Sequence, residues 1–174
     1  MYLMEKAEKD REIRRFVDKA DSLKNCFVRT AKSEIPIKEL VGKINMMGGK
    51  TAVQVFDPDA VISEAHLKAA YLNAMLAFDE GRNISRTMMM EILLFASMQR
   101  KIDEAVRISG AKSEKGFVLF CGNGSLYERV KPLVVAPVLP RFSKAHSTAA
   151  AHVLGLRGID IGEIMEGMAA SRVD

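Results

Sequence analysis

From Met88 to Ala96 the chain reads Met-Met-Met-Glu-Ile-Leu-Leu-Phe-Ala, apolar in nearly every direction around a helix. A helix with no usable polar face has to be enclosed on most sides, so the rest of the chain must wrap around this rod. The rod is entered through Asn83-Ile84-Ser85-Arg86 and left through Gln99-Arg100-Lys101, with Ser85 placed as its N-cap. A core element with basic groups at both mouths suits holding an anionic partner against a rigid body. The polar residues around it are donors and cations, with no nucleophile set beside a base.

The chain has 174 residues, enough for one domain with a real core. Its 48% hydrophobic and 28% charged residues fit a soluble globule. The net charge of +4 permits nucleic acid as a partner without demanding it. Cys26 and Cys121 both lie in apolar runs, which points to a reducing compartment and not to a disulfide framework. The N-terminus is charged and lacks the apolar stretch of a signal peptide, and Glu91 interrupts the best candidate for a membrane span. The expectation is a cytoplasmic protein with no membrane partner.

Periodicity lays out the remaining elements. Residues 5–24 read as an amphipathic helix with Ile13, Phe16, Val17, Ala20 and Leu23 on one face. Strands are expected at 25–31, 51–56, 117–121 and 133–138, the last pushed toward a sheet edge by Pro137. Helices are expected from Ile37 to Ile44, over 63–80 between Ser63 and Gly81, from Ile102 to Ser109 with Gly110 as its stop, near Leu126 to Val130, from Ser143 to Leu154, and from Asp160 to Ala169. Strands and helices share one core. The class is therefore α+β (mixed α/β), with a small central sheet of about four strands flanked by helices.

Several chemistries lose their sequence support. Gly48-Gly49-Lys50-Thr51 ends like a phosphate-binding loop, but Ile44 occupies the position where that pattern needs its first glycine. The motif also follows a helix and opens a strand, the reverse of what it requires. His146 and His152 fall on different faces of one helix, and no cysteine pair has zinc spacing. No serine sits on a glycine-flanked elbow, and Asp103 and Glu104 diverge as neighbours on a helix. Nothing here makes a case for an enzyme, a cofactor or a metal.

Two features remain open. Arg82 and Arg86 flank Asn83 and Ser85 at one end of the buried helix, Arg100 and Lys101 stand at the other, and Lys112 follows Gly110. Such groups bind phosphates, and a single-stranded base would meet aliphatic groups such as Ile108 because aromatics are scarce. A solvated basic rim explains the same residues. The end segment, apolar at Ile161, Ile164, Met165 and Met168 but carrying two glycines, makes a poor isolated helix. It needs a partner surface, either its own domain or another protein.

The run from Val53 to Ile62, the helix ending in Phe-Asp-Glu-Gly-Arg-Asn-Ile-Ser-Arg, the stretch from Met90 to Val106 and Gly110-Ala111-Lys112 together resemble the small kinase-binding subunit of the KEOPS complex, whose eukaryotic relative is the PRPK-binding protein. The likeness runs from about Asn25 to the C-terminus and is strongest between Val53 and Lys112. It implies an additional amphipathic helix over 1–24 and a single family-like domain over 25–174. The Gln-Arg-Lys corner is similar to archaeal members. The resemblance implies a non-catalytic subunit that binds and stimulates the small atypical kinase and recruits tRNA through its single-stranded 3′ CCA end. KEOPS makes the threonylcarbamoyl modification of tRNA adenosine, and the other subunits would be reached through the kinase. Carried onto this chain, Arg86, Arg100, Lys101 and Lys112 would meet tRNA phosphates and Ile108 would line a base pocket. Asn83 and Gln99 would donate hydrogen bonds, and Ile161, Ile164 and Met168 would help meet the kinase. Met98 stands where a small residue is common in the family. The alternative is a free-standing single-stranded RNA- or anion-binding module without a kinase partner.

Overall fold

The computed structural model describes residues 2–172, with side chains from Arg11 onward except that of Glu12. Four antiparallel strands form one sheet in the order β2-β3-β1-β4: β1 Phe27–Lys32, β2 Val53–Phe56, β3 Phe117–Cys121 and β4 Val135–Val138. Eight α-helices are described: α1 Tyr2–Ser22, α2 Ile37–Asn45, α3 Glu64–Asp79, α4 Met88–Ser97, α5 Ile102–Ser109, α6 Gly124–Val130, α7 Lys144–Val153 and α8 Ile161–Ala170. The fold is a single α+β domain.

Side-chain alternation along the strands feeds two cores. On one face Val28, Phe56, Val118 and Phe120 meet α3, α4, α7 and α8. On the other, Val53, Val55, Phe117, Leu119 and Cys121 meet Leu40 and Ile44 of α2 and Tyr127 and Val130 of α6. Every residue of β3 is buried, as the continuous apolar run Phe117–Cys121 predicts. Pro137 sits in β4, an edge strand with mostly exposed residues.

The central rod is α4, with eight of its ten residues buried. Ile92, Leu93 and Leu94 are at most 2% exposed, and each such side chain contributes about 1.5–3 kcal/mol. Ser85 is not its cap. Thr87 takes that place, accepting from the Met90 amide, while Ser85 Oγ accepts from the Thr87 amide just ahead of the helix. The rod ends at Met98, whose φ of 57° is left-handed. That geometry favours glycine or asparagine and explains why a small residue suits the position.

Gly110 ends α5 for a different reason. Its φ is −66°, which any residue adopts, but a Cβ there would lie 2.6 Å from the Val106 carbonyl oxygen. Its backbone also bridges to Phe56. Gly110→Ala is expected to cost about 1–3 kcal/mol through this overpacking, read as a lowered urea midpoint with an unchanged slope.

The apolar face of α1 is only partly covered. Lys19 pairs with Asp79 of α3 at 2.5 Å, yet Ile13, Phe16 and Val17 stay 47–52% exposed. Among the described residues no helix is long and apolar enough to cross a membrane.

Candidate functional site

The loop Gly81–Thr87 enters α4 and the corner Met98–Lys101 leaves it. Gly81 has a φ of 65°, so the chain can reverse at the end of α3 at little cost. A ten-residue helix is about 15 Å long, and the basic residues stand in the loops beyond its two ends.

The residues expected to meet RNA fall into three places. Arg86 is exposed and lines a cavity of about 370 Å³ with Gly49, Lys50, Phe78 and Met88. Arg100 and Lys101 are exposed at the far end of α4. Lys101 precedes α5 at its N-cap position, and Lys112 lies beyond its other end. Lys112 Nζ sits 2.5 Å from Asp57 Oδ2, so this cation is already paired, although its side chain is 61% exposed. Asn83 Nδ2 donates to the Ser85 carbonyl at 2.9 Å and Gln99 Nε2 to the Ser97 carbonyl at 3.3 Å. These amides shape the two turns of the site. Ile108 is half-buried against the main core.

The kinase-facing expectation divides. Ile164 and Met168 are 1% and 0% exposed in the main core, and α8 packs on α3. With α8 seated this way neither side chain is available to a partner, because covering its own domain already satisfies the apolar stripe. Ile161, half-exposed, stays at the surface.

Sequence reasoning passed over the charge pair at the centre of the site. Glu91 is 0% exposed. Its Oε2 accepts from the amides of Ile84 at 3.1 Å and Ser85 at 2.8 Å. Its Oε1 lies 2.9 Å from Nη2 of Arg172, an ion pair in which the N–H bonds do not point at the oxygen in hydrogen-bond geometry. The Arg172 guanidinium lies 3.9 Å from the centre of the Phe95 ring, a cation–π contact. Burial pulls Arg172 below the ordinary guanidinium value, Glu91 pulls it back, and Arg100 and Arg82 add repulsion. Arg172 is the arginine paired with Glu91, while Arg82 pairs with Glu80. A lone Glu in an otherwise apolar rod signals a buried partner, but nothing in the sequence says which of 26 Lys and Arg residues supplies it.

The histidines and cysteines take structural places. His66 is 0% exposed, bonded to the Ile62 amide and the Ala96 carbonyl. His146 bonds the Val61 carbonyl and His152 is exposed. Burial pushes the Cys26 thiol up to about 11 and the Cys121 thiol up to about 12, leaving both poor nucleophiles at neutral pH. Among the described residues no group of three or more His, Cys, Asp or Glu could hold a metal ion. The glycines before Lys50 follow α2 and precede β2, the wrong order for a phosphate loop.

Comparison with curated proteins finds no match. A family model described as kinase binding protein CGI-121 matches residues 28–134, a span running from β1 to the residue before β4 and including α4 and both of its basic mouths. With well over half of its length matched, this chain belongs to the CGI-121 family of kinase-binding proteins.

Proposed function

We propose that this chain is a non-catalytic accessory subunit of the KEOPS complex, acting in threonylcarbamoyladenosine modification of tRNA. It binds and stimulates the small atypical kinase subunit and recruits tRNA by its single-stranded 3′ CCA end. It reaches the other subunits through the kinase and works in the cytoplasm without a cofactor. Membership of a kinase-binding family carries this reading, and the exposed cations at the two mouths of α4 support the RNA part. Arg86, Arg100 and Lys101 supply phosphate contacts, and Lys112 joins them by exchanging Asp57 for a phosphate. Asn83, Gln99 and the half-buried Ile108 meet the bases. Ile161 and the exposed side of α8 face the kinase. Residues 1–24 are an addition to the domain formed by 25–174.

Two assays separate this reading from a free-standing RNA-binding module. Co-purification with the atypical kinase is expected, and its failure removes the kinase role. Gel shifts of one tRNA with and without its CCA end are expected to differ, and equal affinity defeats 3′-end recognition. Arg100→Glu converts an attraction to phosphate into a repulsion and is expected to lower tRNA affinity about ten-fold or more, with the fold intact by circular dichroism. Unchanged binding moves the site elsewhere.

A further inference from the structure

One buried carboxylate is tied to two parts of the chain at once. Through Oε2, Glu91 holds the backbone amides of Ile84 and Ser85, in the loop that carries Arg82, Asn83 and Arg86. Through Oε1 it pairs with Arg172, just past the end of α8. Helix capping does not explain this, because Thr87 already caps α4. Packing does not explain it either, because an apolar side chain would fill the space without the cost of burying a charge. An apolar residue could not accept from two loop amides or hold a guanidinium whose Nε and Nη1 are buried without a hydrogen-bond partner among the described residues.

We propose that Glu91 is a positioning residue that fixes the Arg82–Arg86 loop for its ligand, and that Arg172 secures Glu91, so the seating of α8 sets the shape of the basic loop. This rests on reading that loop as an RNA contact. Glu91 touches no RNA in this scheme and acts through the loop amides. Because α8 also carries the surface-exposed Ile161, a partner that shifts α8 would change the grip on a polyanion at the other end of the same tie.

The sign of one substitution tests the idea. Glu91→Gln raises the net charge by one beside the RNA surface, so electrostatics alone tightens binding. A positioning role loosens it. Using the full chain and an unmodified tRNA transcript, Glu91→Gln is expected to bind about five-fold more weakly or worse. Its salt dependence is expected to keep the wild-type slope, since no phosphate contact is removed. Equal or tighter binding overturns the proposal. The second measurement needs no RNA and uses a substitution at the chain end. In Arg172→Gln, hydrogen exchange at the Ile84 and Ser85 amides is expected to speed up about ten-fold, with Val118–Phe120 in β3 unchanged. Wild-type protection at those two amides overturns the tie. If the wild-type protein fails to bind tRNA, the RNA reading falls while the exchange experiment still decides whether Arg172 holds the loop through Glu91.

Discussion

Glu91→Ala is expected to destabilise the protein by about 3–5 kcal/mol, the range for removing one partner of a buried ion pair. Glu91 is 0% exposed and the Arg172 side chain 12% exposed, so solvent screens the pair little. The substitution leaves the Ile84 and Ser85 amides without their acceptor, a cavity beside Phe95, and a guanidinium facing two like charges. Typical domains are stable by only about 5–15 kcal/mol, so the loss is a large fraction. Glu91→Gln can keep a carbonyl oxygen on both amides while its amide group replaces the oxygen facing Arg172, and loses less. Equilibrium urea unfolding at neutral pH measures the series. A loss for Glu91→Ala below about 1 kcal/mol shows that Arg172 and the loop amides find water instead, and that the tie is weak.

Acidification from pH 7.5 to 4.5 is expected to remove about 2–3 kcal/mol of stability through His66 alone. The Ile62 amide donates to Nδ1 at 3.2 Å, so Nδ1 is the unprotonated nitrogen, and Nε2 donates to the Ala96 carbonyl at 2.9 Å. Both ring nitrogens are satisfied only in the neutral form. A proton on Nδ1 would face an amide hydrogen. Burial lowers the pKa from 6.5 to about 4, with the Ala96 carbonyl opposing part of the shift. Between these values the unfolded chain takes up the proton and the folded one does not. Stability is therefore fully present above about pH 6.5 and falls as the pH drops toward 4. Other groups titrate over the same range, so the measured quantity is the difference between wild type and His66→Gln at the two pH values. Parallel pH dependence in both proteins would show that His66 is protonated in the folded state, against its buried contacts.

Much of the architecture is legible before folding because it depends on local rules. The 3.6-residue period marks α2, α3 and α5, Ser63 caps α3 through the His66 amide, and Pro137 marks an edge strand. The all-apolar composition of Met88–Ala96 requires a buried rod, and α4 is one. Cap details shift where two candidates stand close together: Thr87 replaces Ser85 because the last extended residue before the helix, not the first polar one, presents its oxygen to the free amides. The stripe on α1 is the clear case of a pattern that does not decide its own burial. Ile13, Phe16 and Val17 share a face, yet stay about half-exposed beyond α3.

The basic residues were legible as neighbours in the chain, and their surroundings were not. Sequence by itself determined that α4 is enclosed, that cations stand at both of its ends, and that these residues run like a kinase-binding family. Only the tertiary structure decided that Lys112 is paired with Asp57, that Ile164 and Met168 belong to this domain's own core, and that Arg172 comes back to neutralise Glu91. The division has a physical cause. Helical and strand periodicity are properties of residues a few positions apart, whereas the partner of a buried charge is set by distance through space. Arg172 reaches Glu91 from 81 positions away, and no local pattern records that meeting.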